Sequence, residues 1–163
     1  MLKLDEILQG VKRAGIAGHV RPDGDCTGSC LALYQYLRMY YPEVSTDVYL
    51  EEIPNSFHML TGADEIRHGL PEDTGYDVFF ALDCGDTKRL GFAGTLFEQA
   101  KKTVCIDHHV SNLAFADVNQ IVPDASSTSE LIYDLLEKER ITKEIAEALY
   151  LGIVHDTGVF QYS

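Results

Sequence analysis

The chain has 163 residues, of which 45% are hydrophobic, so it is long and apolar enough for one folded domain with a substantial core. Its formal net charge is −13, which argues against a broad basic surface for long nucleic acid or an anionic membrane. A short anionic substrate held by metal ions stays open, because bound cations do not appear in a residue count.

Short apolar runs alternate with helical patterns along the chain. In order, the sequence predicts a helix at "DEILQGVKRA", a buried strand at "GIAGHV", a helix at "GSCLALYQYLRMYY" and a strand at "STDVYLEE". A surface connection with a helical turn is expected from Gly62 to Gly75. The next elements are a strand at "DVFFALD", a helix at "GFAGTLFEQA", a strand at "TVCIDHH" and a short strand at "FADVNQIV". Two helices follow, at "SSTSELIYDLLEKE", which carries a capping sequence, and at "TKEIAEALYLGIVHDTG".

This alternation predicts an α/β fold, with a parallel five-stranded sheet, helices on both faces and a Rossmann-like arrangement. An ordinary dinucleotide-binding domain is a weaker interpretation, because "GHVRPDGDCTG" lacks the G-x-G-x-x-G pattern after the first strand.

The N-terminal segment "MLKLDEILQGVKRAG" lacks the apolar core of a signal peptide, and no later segment approaches a membrane span. The cysteines at positions 26, 30, 84 and 105 form no CxxC pair, which favours reduced thiols in a cytoplasmic protein. Cys26 and Cys30 are one helical turn apart, so a soft-metal site at this pair remains an alternative.

Acidic and imidazole side chains follow three of the predicted strands and occur again in the last helix. They are His19, Asp23, Asp25, Asp83, Asp107, His108, His109 and Asp156. Because the carboxyl ends of parallel strands form the binding crevice of such sheets, we expect these side chains to meet at one edge. Taken singly, an aspartate after a strand is usually a helix cap or an Asx turn, and Asp25 could cap the following helix in this way.

Together, these carboxylates and imidazoles would repel and desolvate one another at one edge of a sheet. Two divalent cations remove that problem. Oxygen and nitrogen donors without thiolate suit Mn²⁺, with Mg²⁺, Co²⁺ and Fe²⁺ as alternatives. A pair of such ions is the usual apparatus for hydrolysing phosphate esters.

The motifs also resemble a known family. The segments "DGDCTGS", "IDHH", "SSTSEL" and "HDTGVF" occur in this order and at suitable separations. With Asp83 between the first two, they are similar to the four-motif signature of the DHH phosphoesterases. The resemblance is greatest to the oligoribonucleases, or nanoRNases, that also dephosphorylate 3′-phosphoadenosine 5′-phosphate (PAP).

The resemblance implies a role for each residue. The implied metal ligands are His19 and Asp23 for the first ion, Asp25, His108 and Asp156 for the second, and Asp83 as the bridge. Asp107 is expected to orient an imidazole, and His109 to face the substrate phosphate, so these two join Asp83 as the catalytic residues. Arg89 and Ser29 are further candidates for phosphate contact, although Arg89 could equally be a surface cation.

The resemblance further implies two Mn²⁺ ions, with Mg²⁺ or Co²⁺ as alternatives, and short RNA oligonucleotides or small nucleotide phosphates as substrates. No groove for long nucleic acid and no membrane partner are expected, and a homodimer would be unsurprising. The whole chain, residues 1–163, is expected to be the catalytic DHH domain, without the substrate-binding DHHA1 domain of such proteins. Metal binding, weak hydrolysis of small activated esters and loss of most activity on oligonucleotides are then expected of the chain itself.

Three other functions stay open. A cyclic-dinucleotide phosphodiesterase has a similar catalytic domain, and a pyrophosphatase belongs to the same wider family. A nucleotide-binding module without catalysis is the alternative outside the enzymes, but such modules usually lack metal ligands, and here the whole set is present.

Overall fold

The computed structural model describes residues 2–157 and confirms the predicted α/β class. Five strands form one fully parallel sheet in the spatial order β2-β1-β3-β4-β5. The strands are β1 (Arg13–Ala17), β2 (Ser45–Tyr49), β3 (Val78–Leu82), β4 (Lys102–Asp107) and β5 (Val118–Ile121). The chain order reverses beside β1, so the carboxyl ends of β1, β3 and β4 lie next to one another at the centre of the sheet.

Helices cover both faces of the sheet, as predicted. They are α1 (Leu4–Ile7), α2 (Gly24–Tyr40), α3 (Gly94–Gln99), α4 (Thr128–Leu135) and α5 (Lys143–Asp156). Short 3-10 turns lie at Asn55–Phe57, Ala63–Glu65, Thr87–Ala93 and Lys138–Arg140. Within residues 2–157, no helix has the length and apolar character needed to cross a membrane.

The central strand β3 shows how the two faces are filled. All five of its residues are buried, and successive side chains point to opposite faces. Val78, Phe80 and Leu82 join the larger core cluster with residues of α2, α4 and α5, whereas Phe79 and Ala81 join a second cluster with residues of α3. The continuous apolar run is therefore the consequence of a sheet covered on both sides.

Helix α2 is the central packing element of the larger face. Its residues from Gly24 to Leu37 are all buried, because the helix lies between the sheet and α5. A Cβ on Gly28 would come within 2.3 Å of the Ala148 carbonyl oxygen of α5, so this crossing requires glycine. The close crossing brings the N-terminal end of α2 next to the C-terminal end of α5.

Several predicted element bounds were wrong. The first helix ends at Ile7 and not in "KRA", because Gly10 adopts a left-handed φ of +75° and β1 already begins at Arg13. Helix α2 begins at Gly24, and its cap is Asp23, not Asp25: the Asp23 carboxylate accepts the N–H of Cys26 at 2.9 Å. The predicted last helix ran through Gly158, which lies outside the described residues.

Candidate metal centre

His19 follows β1 and faces two carboxylates. Its Nδ1 lies 2.6 Å from the Val20 carbonyl oxygen, which accepts the Nδ1 proton and leaves Nε2 to point into the site. That Nε2 atom is 3.5 Å from Asp23 Oδ1 and 3.4 Å from Asp83 Oδ2. Burial opposes protonation, but hydrogen bonds to Asp23 and Asp83 outweigh it and raise the pKa of His19 to about 11. This part of the site therefore attracts positive charge, which a proton or a metal ion can supply.

Asp83 directly follows β3 and has a left-handed φ of +56°, a rare conformation for a residue with a side chain. It is buried, and its two oxygens face different neighbours: Oδ2 faces His19, and Oδ1 lies 3.7 Å from Nε2 of His108. The hydroxyl of Thr128 donates to Oδ1 at 3.1 Å. Burial, with the added charge of Asp25 and against the opposing effect of His19, raises the pKa of Asp83 to about 7. A carboxylate so placed is positioned to share its oxygens between two cations.

The second group of donors is formed by His108, Asp25 and Asp156. His108 Nε2 lies 3.3 Å from Asp156 Oδ2 and 3.7 Å from Asp25 Oδ2. Among the described residues this buried nitrogen has no hydrogen-bond partner, which is rare for a buried polar atom. Burial above all, and then the charge of Asp25, raises the pKa of Asp156. A ring nitrogen without a partner, surrounded by carboxylate oxygens, is the environment of a metal ligand.

Asp25 has a second set of contacts in addition to this group. It is fully buried, and its two oxygens accept the backbone N–H groups of Thr128 and Ser129, each at 2.9 Å. These are N–H groups of the first turn of α4, whose dipole favours a negative charge at this end. Asp25 therefore fixes α4 to α2 as well as lying beside His108.

Asp107 and His109 form a pair at the end of β4. Asp107 is fully buried, and its Oδ1 lies 2.6 Å from Nδ1 of His109, which is about half exposed. The hydrogen bond with Asp107 outweighs partial burial and raises the pKa of His109. Since Nδ1 donates to Asp107, Nε2 is the ring nitrogen left to face other groups.

A cleft of about 230 Å³ opens beside these side chains. It is lined by His19, Asp23, Asp83, Gly85, Asp86, Arg89, His109 and Ser111. The Arg89 carbonyl oxygen accepts the N–H of Val20 at 2.7 Å, which ties the turn that carries Arg89 to the end of β1. A larger cavity of about 770 Å³ lies at the N-terminal end of β2, but it contains none of these residues.

The structure therefore brings together all eight of the predicted acidic and imidazole side chains, and it places Arg89 at the cleft. Ser29 is different. It is fully buried in α2, and its hydroxyl donates to the Cys26 carbonyl oxygen at 3.2 Å. The prediction of a phosphate contact for Ser29 was wrong, because it took the helix to begin at Gly28 rather than at Gly24.

Sequence reasoning gave Cys26 no part in this centre, yet its sulfur lies within 4.8 Å of donor atoms of His19 and Asp83. Burial raises the pKa of the Cys26 thiol well above its usual range. Cys30 joins no group of metal-binding side chains among residues 2–157, which leaves the soft-metal interpretation of the cysteine pair without support.

The donors present fit a pair of divalent cations. One group contains His19 and Asp83, the other contains Asp25, His108 and Asp156, and Asp83 lies between them. Carboxylate oxygens and imidazole nitrogens suit Mn²⁺ and related ions of intermediate hardness.

A parallel α/β sheet with this acidic and imidazole edge is typical of hydrolases that act on phosphate esters. The family model "DHH family, N-terminal domain" matches residues 13–153, and the chain belongs to this family. The recognised resemblance is thereby confirmed.

The chain is also similar to particular proteins. The chain is 33% identical over 150 residues to the bifunctional oligoribonuclease and PAP phosphatase NrnA of Bacillus subtilis, covering 88% of this chain and 46% of the relative. It is 28% identical over 180 residues to the cyclic-di-AMP phosphodiesterase PdeA of Listeria monocytogenes, covering 96% and 26%. The crystal structure of an exopolyphosphatase-related protein from Bacteroides fragilis matches with a TM-score of 0.85 at 29% identity, covering 96% of this chain and 49% of that one. The chain thus spans about half the length of the NrnA relative and of the Bacteroides fragilis protein, and about a quarter of the length of PdeA.

Proposed function

We propose that the chain is a metal-dependent phosphoesterase that hydrolyses short oligoribonucleotides, PAP, or both, at a centre of two Mn²⁺ ions. The observation that carries this proposal is the position of Asp83. Its carboxylate lies between His19 on one side and the buried, partnerless Nε2 of His108 on the other. Such an arrangement is costly without cations, and two cations would satisfy both sides.

The ligand assignment combines the two groups of donors with Asp23, whose Oδ1 lies 3.5 Å from Nε2 of His19. The first ion would be held by His19, Asp23 and Asp83, and the second by Asp25, Asp83, His108 and Asp156. Asp23 is the most exposed of these carboxylates, with about 41% of its side chain exposed. Mg²⁺ or Co²⁺ could take the same positions, but the imidazole ligands favour Mn²⁺.

When bound, such a pair of ions lowers the pKa of a water molecule and neutralises charge on phosphoryl oxygens. The side chains of the cleft supply the remaining chemistry. His109, oriented by Asp107, would present Nε2–H to the leaving oxygen as general acid. Arg89, which lines the same cleft, would neutralise a phosphate oxygen.

The substrate class rests on the relatives and on the size of the site. A cleft of about 230 Å³ holds a phosphoryl group but not a duplex. The NrnA relative is described as acting on oligoribonucleotides and PAP. Cyclic dinucleotides are the second candidate, since the PdeA relative is a cyclic-di-AMP phosphodiesterase. We place the reaction in the cytoplasm, where the four free, buried cysteines would stay reduced.

The test is a pair of alanine variants at opposite ends of one strand. Asp83→Ala removes the carboxylate that follows β3, and Asp77→Ala removes the one that precedes it, outside the cleft. Each protein is loaded with Mn²⁺ and assayed on a nucleotide p-nitrophenyl ester, a short RNA, PAP, a cyclic dinucleotide and pyrophosphate.

We expect Mn²⁺-dependent ester hydrolysis and binding of two Mn²⁺ ions in the wild type and in Asp77→Ala, and loss of both in Asp83→Ala. The natural substrate class is the one with the highest kcat/KM among the four natural compounds. Full activity of Asp83→Ala, or absence of Mn²⁺-dependent hydrolysis in the wild type, would contradict the proposal.

A further inference from the structure

The loop after β4 contains one residue whose polar contacts stand out. Asn112 Nδ2 donates to Asp107 Oδ2 at 2.9 Å and to the Cys84 carbonyl oxygen at 3.1 Å, while Asn112 Oδ1 accepts the N–H of Ala114 at 2.7 Å. These partners fix the orientation of the amide, because a carboxylate and a carbonyl can only accept and an N–H can only donate. Among the common residues of this size, only asparagine offers donors and an acceptor in these positions.

These hydrogen bonds fix the position of the loop after β4, whose apolar side chains are exposed rather than packed against the core. Val110 and Leu113, on either side of Asn112, are 84% and 86% exposed. Of the residues from His109 to Ala114, all are exposed except Asn112, which is half-buried. The loop is therefore attached to the protein mainly through the side chain of Asn112.

The same side chain connects the two strands that supply the centre. Cys84, whose carbonyl oxygen Asn112 binds, directly follows Asp83 at the end of β3. Asp107 lies at the end of β4, and its other oxygen binds His109. The two oxygens of this one carboxylate therefore connect Asn112 directly to His109.

We propose that Asn112 is a positioning residue that holds the Asp107 carboxylate in the orientation in which His109 presents Nε2–H to the leaving oxygen. The role rests on the proposed phosphoesterase function. In the step, a water oxygen forms a bond to phosphorus, and the bond from phosphorus to the leaving oxygen breaks. The electron pair of that bond stays on the leaving oxygen, which takes the proton of His109 Nε2. The attacking water loses a proton to solvent, and His109 takes a proton back from solvent.

The test uses Asn112→Asp, which keeps the shape of the side chain but turns its donor end into an acceptor facing Asp107. The matched control is Asn119→Asp. Asn119 likewise donates through Nδ2 to a carbonyl oxygen, that of Ala116, at 2.7 Å and accepts the Ala116 N–H at 3.1 Å, but it lines no part of the cleft. Each Mn²⁺-loaded variant is assayed on a nucleotide p-nitrophenyl ester, whose leaving group needs no proton, and on an RNA dinucleotide, whose leaving group does.

We expect Asn112→Asp to lose roughly 10²-fold in kcat on the dinucleotide, the scale of misplacing a reacting group by about 1 Å, and to keep its rate on the activated ester to within about three-fold. Asn119→Asp should keep both rates to within about three-fold. Equal losses of Asn112→Asp on both esters, or no loss on either, would overturn the proposal.

A second measurement is independent of activity. In the metal-free protein, the proton on Nδ1 of His109 is hydrogen-bonded to Asp107 and should give a resolved downfield NMR resonance. We expect Asn112→Asp to broaden or shift that resonance and Asn119→Asp to leave it in place. An unaltered resonance in Asn112→Asp would refute the positioning of His109. If the resonance changes as expected but the wild type hydrolyses neither ester, the proposed function fails while the positioning stands.

Discussion

Asp25→Asn separates the structural role of this side chain from its proposed part in the metal centre. Asp25 accepts two backbone N–H groups, those of Thr128 and Ser129, each at 2.9 Å. Asparagine has the same shape, but one end of its side chain is an NH₂ group that cannot accept. One N–H group at the beginning of α4 would therefore lose its acceptor and face a donor inside the protein.

The size of the effect follows from the type of bond. A hydrogen bond to a charged group contributes about 1.5–3 kcal/mol, and a buried donor left without a partner costs a similar amount. We therefore expect metal-free Asp25→Asn to lose about 2–3 kcal/mol of unfolding free energy. For a domain of 163 residues, a loss of this size lowers Tm by about 4–12 °C.

The control must account for the charge that the substitution also removes. Asp83→Asn removes one charge from the same buried cluster, and its remaining carbonyl oxygen can still accept the Thr128 hydroxyl. Because burial already raises the pKa of Asp83 to about 7, its loss of charge should leave metal-free stability unchanged or higher. Urea and thermal unfolding with a chelator at neutral pH measure both variants. The reasoning would be refuted if Asp25→Asn were as stable as the wild type, or if Asp83→Asn were as unstable as Asp25→Asn.

Three further substitutions test single interactions of the fold. In Gly152→Ala, the new Cβ would lie 1.8 Å from Ser129 Oγ, so α5 must move from α4; we expect a loss of about 1–3 kcal/mol in unfolding free energy and weaker Mn²⁺ binding in calorimetry. Ser127→Ala removes the hydroxyl that accepts the N–H of Glu130 at 3.0 Å and caps α4, and urea unfolding should show a loss of about 1 kcal/mol. The N–H group just before β1, the first N–H group of β1 and an ion pair lower the pKa of Asp77. The stabilisation by its charge is therefore present above about pH 4 and is lost as the pH falls below that value. In acid unfolding curves, Asp77→Asn should be less stable than wild type at pH 7, and the difference should shrink towards about pH 2.

Each of these three has an outcome that contradicts it. Glu147→Ala, at an exposed position of α5, is the control for Gly152→Ala, and equal effects of the two would rule out a close approach between helices. Unchanged stability of Ser127→Ala would mean that the hydroxyl has no capping role. A difference between wild type and Asp77→Asn that stays constant from pH 7 to pH 2 would show that the Asp77 charge does not contribute.

The sheet and the edge of the site were predictable because their signals are local. The apolar run of β3, from Val78 to Leu82, reports burial on both faces. Polar residues directly after β1, β3 and β4 must then meet, since these strands are parallel and adjacent. Helix bounds were less predictable: a left-handed Gly10 ends the first helix early, and α2, capped by Asp23, begins at Gly24, four residues before the predicted start.

Other features of the site depend on contacts between distant parts of the chain. Asp25 is 104 residues away from Ser129 in sequence, and no periodic pattern indicates that its carboxylate holds the first turn of α4. Asn112 reaches back 28 residues to the Cys84 carbonyl oxygen, and a lone asparagine in a polar loop gives no sign of this. Ser29 is fully buried because the sheet and α5 cover α2, and the sequence of α2 alone does not show what covers it.

The central claim is that acidic and imidazole side chains from four separate parts of the chain hold two divalent ions. Anomalous diffraction from crystals grown with Mn²⁺ tests it most directly. We expect two peaks about 3.5–4 Å apart, with Asp83 between them, one peak beside His19 and the other beside His108 and Asp156. A map without a peak in this cleft, at Mn²⁺ concentrations that support hydrolysis, would contradict the account.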